Sequence, residues 1–140
     1  MKRILLLTTV LTSLFFLSNC NHQRRLTSET EALFRNKWKL TEVQGQQVPD
    51  SFRSSFEFTP GKISGSTGCN KLSARFIAGK HQTVTFLPED PIKMECKNES
   101  AATLETKFLD ALSKSTKWDI EESELWLGDG SATLIKLRKL

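Results

Sequence analysis

The chain has 140 residues, 38% of them hydrophobic and 26% charged, with a formal net charge of +4. That is enough for one domain once an N-terminal leader is discounted, and the balance excludes a disordered polymer. Removing Lys2 and Arg3 with the leader takes the charge to +2, too weak to point to nucleic acid or an anionic surface.

Met1-Lys2-Arg3 is a positively charged start, and Ile4–Leu17 is an apolar run broken only by Thr8, Thr9, Thr12 and Ser13. A bilayer span takes roughly 20 apolar residues, so the run suits a secretory leader better than a membrane helix. Leu17-Ser18-Asn19-Cys20 follows and resembles the lipobox of bacterial lipoproteins, in which the cysteine is lipidated and becomes the first mature residue. Asn19 departs from the small residue usual at that place. Residues 1–19 are thus expected to be a lipoprotein signal peptide, with Cys20 the lipidation site; the alternative is ordinary cleavage nearby, leaving Cys20 a free thiol. Residues 20–34 are polar and read as a tether, with a short helical turn near Glu31–Arg35. An acyl anchor on Cys20 gains about 0.8 kcal/mol per buried methylene and holds the protein at a membrane surface. Because Asn21 rather than Asp follows the cysteine, the lipoprotein resemblance implies the outer membrane, facing the periplasm or the surface.

Residues 35–140 form the domain. Lys37–Val43 alternates around Trp38 and Leu40, a half-buried strand, and Gly45 opens a polar loop through Asp50. Ser55–Thr59 alternates around Phe56 and Phe58, Pro60-Gly61 turns, and Lys62-Ile63-Ser64 begins the returning strand. That strand runs into Gly65-Ser66-Thr67-Gly68-Cys69-Asn70, a bend suited to positive φ at glycine and to the left-handed region at asparagine. Ser73–Ile77 is a weaker strand and Gln82–Leu87 a clearer one; Pro88 and Pro91 then break the sheet. Asn98 is the expected N-cap of a helix over Glu99–Lys114. Ala101, Leu104, Phe108, Ala111 and Leu112 fall on one stripe, with Lys107 and Asp110 facing solvent. Trp118–Glu121, Glu124–Leu127 and Ala132–Leu137 are the last strands, the final two joined by Gly128-Asp129-Gly130. The expected fold class is α+β: a single antiparallel, barrel-like sheet of about seven strands with one main helix covering a face or an end.

These features resemble the META domain family, also called HslJ-like. The residues that carry the likeness are Trp38 of the first strand, Gly65, Gly68, Cys69 and Asn70 of the bend, Met94 with Cys96, Glu105 and Phe108 of the helix, and Leu125 with Leu127 near the end. The match covers essentially the whole mature domain. Phe76 stands where a tyrosine is usual and Lys93 where a threonine is common. The resemblance implies small envelope or secreted proteins, often lipoproteins, linked to stress and drug tolerance. Their fold is an open antiparallel barrel with a helix, and no enzyme activity attaches to them.

Export would place Cys69 and Cys96 in an oxidising compartment, where a disulfide persists. Closing a loop of about 27 residues stabilises a domain by about 3.5 kcal/mol on the chain-entropy estimate. Two packed thiols are the alternative, and metal or redox chemistry the remaining one. His22 and His81 show no zinc-like spacing to the cysteines, and Met94 beside Cys96 is more simply a gap-filling thioether. No metal, cofactor or catalytic residue is expected. There is no Gly-x-Ser-x-Gly, the Glu89/Asp90 and Glu121/Glu122 pairs lie at turns, and Gly61–Gly68 lacks the lysine and helix of a phosphate loop.

The expected function is that of a non-catalytic, lipid-anchored envelope protein in stress tolerance or envelope maintenance. It would be a monomer that binds an envelope protein or an apolar ligand and no nucleic acid. Phe56, Phe58, Phe86, Trp118 and Trp126 are candidates to line an open barrel end, although a filled core explains each aromatic more simply. The alternative is a secreted inhibitor or interaction module docking through Gln44–Arg53; a small hydrolase built around His81 is the remote one.

Overall fold

The computed structural model describes residues 30–89, 96 and 98–140. The leader, the Cys20 lipidation site and Met94 lie outside the described residues. The chain divides into two units, Met1–Ala32 and Leu33–Leu140. Of the first, residues 30–32 are described, and they are helical. The second opens with a helical turn, α1, at 33–35.

Among the described residues nine strands follow: β1 Lys37–Val43, β2 Gln46–Gln47, β3 Ser55–Thr59, β4 Lys62–Ser66, β5 Lys71–Ala78, β6 Val84–Pro88, β7 Lys117–Glu121, β8 Glu124–Gly128 and β9 Thr133–Lys139. The helix α2, Glu99–Lys114, stands between β6 and β7. All pairings are antiparallel, in the order β6-β5-β4-β3-β1-β9-β8-β7, with β2 on β1. The outer strands β6 and β7 meet at one end: Val84 N donates to Thr116 O at 2.9 Å, Trp118 N to Gln82 O at 2.9 Å, and Thr83 bridges Lys117. The sheet is therefore a nearly closed barrel, and the α+β reading holds.

The strand count exceeds the expected seven or so, and one strand arises where a loop was expected. Gln44 and Gly45 both take positive φ, 48° and 77°, which makes a two-residue hairpin turn and lets Gln46 and Gln47 pair back on β1. The other departure is Pro88. Instead of breaking the sheet before it, Pro88 ends β6 and pairs with Ala74. β6 is an outer strand, where a residue without an N–H costs no ladder bond.

Alternation decides the core. In β1 Trp38, Leu40 and Val43 are buried, in β3 Phe56 and Phe58, in β5 Leu72, Ala74 and Phe76, and in β9 Ile135 and Leu137. The α2 stripe of Leu104, Phe108, Ala111 and Leu112 is buried with them, and Phe108 stacks on Phe56 with ring centroids 4.9 Å apart. Each buried Val, Leu, Ile or Phe among them is worth roughly 1.5–3 kcal/mol of burial. Trp38 also donates Nε1–H to Leu33 O at 3.1 Å, which satisfies its one polar atom.

Helix α2 begins as expected. Asn98 is extended, and its Oδ1 accepts from Ala101 N at 3.1 Å. The helix ends at Ser115, whose N–H returns to Leu112 O.

Candidate functional site: a polar corner and a rim cleft

Among the described residues, polar side chains gather at the corner between β4 and β5 and at a cleft on the barrel rim.

The corner is the Gly65–Asn70 stretch, and its two glycines serve for different reasons. Gly68 takes φ 90°, and a side chain there would press on the Phe52 ring 3.0 Å away. Gly65 lies inside β4 with ordinary φ; a Cβ would collide with Ser55 O and approach Phe56 Cα to 2.8 Å. It is glycine so that β3 and β4 can come close. Asn70 does not use the left-handed region, since it is not among the residues with positive φ. Its side chain matters instead.

Cys69 and Cys96 are joined as a disulfide, with Cα atoms 5.8 Å apart. The link ties the corner to the approach to α2. Beside it stands Glu105, the one acidic side chain of α2 that is buried, 8% exposed. Asn70 Nδ2 donates to Glu105 Oε1 at 2.8 Å, and Thr67 Oγ1 donates to Glu105 Oε2 at 2.8 Å. Thr67 N already serves Asn70 O at 2.9 Å, so the single hydroxyl proton is best spent on the carboxylate. The same hydroxyl accepts from Asn70 N at 3.1 Å. Cys96 Sγ lies 3.9 Å from Glu105 Oε2 and 3.8 Å from Asn70 Nδ2. The Sγ atoms of Cys69 and Cys96 and a Glu105 oxygen all fall within 4.8 Å of one another. Among the described residues no ion pair reaches Glu105, and Asn70 and Thr67 donate to it.

Of the family residues read from the sequence, Gly65, Gly68, Cys69, Asn70, Cys96 and Glu105 thus meet at this corner. Trp38 and Phe108 are in the core instead. Thr67 was missed, because a threonine between glycines carries no signal until its partner is known. Glu105 was read as a helix residue and not as half of a contact 35 positions away from Asn70.

The rim cleft is a shallow, solvent-open space of about 430 Å³ between the β5–β6 turn and the β8–β9 hairpin. Gln82, Lys117, Trp118, Asp119, Trp126 and Thr133 are on its walls. Gln82 Nε2 donates to Asp119 Oδ1 at 3.0 Å. Trp126 is half-buried; its Nε1–H goes to Glu124 Oε2 at 3.1 Å, and Lys136 Nζ stands 5.7 Å from the ring centroid. Trp118 is 6% exposed, and its Nε1 has no acceptor among the described residues. The barrel interior itself is packed. Phe56, Phe58 and Phe86 are buried against other core side chains, and Phe76 touches Phe58 and Phe86 at centroid distances of 5.6 and 6.2 Å. Of the five aromatics proposed for an open end, only Trp118 and Trp126 reach the cleft.

His81 lies in the β5–β6 turn at φ 57°, exposed and on the lip of the rim cleft. The loop proposed for docking is partly occupied: Gln44 Nε2 reaches Asp110 Oδ2 at 2.9 Å, and Lys107 Nζ reaches Gln46 Oε1 at 2.7 Å. Its start is fastened to α2.

A family model for the META domain matches residues 31–139. No curated protein matches the chain. Among solved structures, a protein determined by NMR is 23% identical, with 77% of this chain and 92% of that one covered and a TM-score of 0.61. A DUF4847 family protein from Bacteroides vulgatus, known from a crystal structure, is 16% identical, with 77% and 94% covered and a TM-score of 0.56. At these identities the likeness is one of fold.

Proposed function

Since the chain belongs to the META domain family, which brings a fold and no assigned reaction, we propose that it is a non-catalytic binding domain of the cell envelope. It is held at the outer membrane by a lipid on Cys20, where it serves envelope maintenance or stress tolerance. The observation that carries the binding reading is the rim cleft, in which Trp118, Trp126, Asp119 and Gln82 converge beside a barrel with a packed interior. Aromatic faces with a few fixed polar groups are what small binding sites are made of. An apolar ligand would lie in this cleft and not among Phe56, Phe58 and Phe86, whose space is taken. The disulfide supports export, because such a bond persists in oxidising compartments.

The test is photo-crosslinking and pull-down of the full-length, anchored protein from its native envelope, in parallel with Trp126→Ala and Asp119→Ala. Binding at the cleft predicts one envelope component captured by the parent and lost from both variants. Equal capture by all three proteins would remove the cleft from the argument. Palmitate labelling that survives Cys20→Ala would remove the anchor.

A further inference from the structure

We propose that the corner is a metal site that the disulfide keeps closed: once the bond is reduced, Cys69, Cys96 and Glu105 bind one Zn²⁺-class ion.

Three observations meet here. The two sulfurs and a carboxylate oxygen already lie within 4.8 Å of one another. The carboxylate is aimed, with Asn70 Nδ2 on one oxygen and Thr67 Oγ1 on the other, both at 2.8 Å. And it is buried at 8% exposure with no cation paired to it among the described residues. A buried carboxylate is costly to leave without a positive partner, and a bound cation supplies one. Two thiolates and a carboxylate form the mixed S/O set that a d¹⁰ divalent ion accepts. Asn70 and Thr67 are then the outer partners that hold a ligand oxygen in place. Three protein ligands leave a fourth position for water, and both cysteines are only half-buried, so the ion has a way in.

The chemistry balances with a dithiol reductant. Two electrons from the dithiol cleave the S–S bond, each sulfur takes a proton, and the reductant leaves as its own disulfide. The incoming ion then displaces both thiol protons. Zn–S bonds of about 2.3 Å require the sulfurs to separate to roughly 3.8 Å, and a Cα–Cα distance of 5.8 Å lets side-chain rotation achieve this.

The experiment uses the full-length chain in detergent, oxidised or reduced with a non-chelating phosphine, and titrated with Cd²⁺ and Zn²⁺ alone. Cd²⁺ is read by the thiolate-to-metal charge-transfer band, Zn²⁺ by competition with a chromophoric chelator. The expected result is one ion per reduced chain and none per oxidised chain. Glu105→Gln should weaken binding at least tenfold, and Asn70→Ala, through orientation alone, about 10-fold or more. Near-UV circular dichroism establishes that each reduced protein is folded, and where Glu105→Gln is not, Asn70→Ala carries the test of the carboxylate's placement. A reduced, folded chain with no charge-transfer band overturns the site. So does equal binding by the oxidised chain, and unchanged affinity in Glu105→Gln removes the carboxylate from it.

Discussion

The β4–β5 corner and the β7–β8–β9 sheet are held together by opposite means. The corner depends on partners far away in sequence: Cys69 reaches 27 positions to Cys96, and Thr67 reaches 38 to Glu105. The last three strands pair with one another as chain neighbours, and β9 also pairs across the chain, with β1. Ile120 faces Leu125, Leu127 faces Ile135 and Leu125 faces Leu137 across adjacent strands, and the hairpin turns close on themselves. A polar network sharing one carboxylate is lost as a unit when a member goes, and the strands away from it feel that loss less directly. Within one domain, redox state should therefore act on the first region and leave the second largely alone.

Reduction is the largest blow to that contrast. Opening the Cys69–Cys96 loop should cost about 3.5 kcal/mol on the chain-entropy estimate, read as a fall in the denaturant midpoint without metal present. Amide exchange should rise first at Gly68 and Asn70 through local opening, while Leu125, Ile135 and Leu137 lose only the protection that the lower global stability takes from them. A uniform rise over both regions would mean that the contrast does not exist.

Gly65→Ala comes next, because it strains the corner without touching the sulfurs. The new methyl meets the backbone of Ser55 and Phe56, which cannot rotate away, and overpacking of this kind costs about 1–3 kcal/mol. Gly45→Ala is the control, since nothing lies within 4 Å of its added carbon and only its positive φ is penalised. A loss in Gly65→Ala no larger than that in Gly45→Ala would mean that the close approach of β3 and β4 does not make Gly65 necessary.

Much of the fold was legible because it is local. Helix α2 has the expected bounds and cap, since Asn98 and the apolar spacing sit inside the segment they organise. Pro60-Gly61 and Gly128-Asp129-Gly130 do join adjacent strands. The turn at Gln44-Gly45 was illegible, because glutamine at φ 48° is not a turn signal. The corner was half legible. Its glycines, cysteines and Asn70 drew notice as residues, but Glu105 looked like any helix carboxylate. Its burial depends on Thr67 and Asn70 closing over it, a relation that spacing within a helix does not express.

A smaller effect separates the helix from the corner it helps to build. Asn98→Ala removes the acceptor of Ala101 N and should cost about 1 kcal/mol. Because Cys96 lies just before this cap, the loss should be larger in reduced protein, where the disulfide no longer holds the helix start. Equal losses in both redox states would show that cap and cross-link act independently.

The smallest effect belongs to the second region and concerns charge. Asp129 Oδ1 accepts from Ala132 N at 2.9 Å and from Ser131 N and Oγ at 2.8 Å. These bonds, led by the Ala132 and Ser131 amides, hold its carboxyl below the usual carboxylate range. A carboxylate whose folded value is lowered stabilises the protein above the unfolded value of about 3.9, and that contribution is lost as pH falls through the lower folded value. Asp129→Asn keeps an oxygen acceptor and removes the charge, so the variant should be slightly weaker than the parent at pH 7 and equal to it in strong acid. The turn is open to solvent, which keeps the difference small. Urea midpoints at the two pH values decide it: a gap that persists in acid would mean that the hairpin is held by amide geometry alone, and that even its charged turn owes nothing to ionisation.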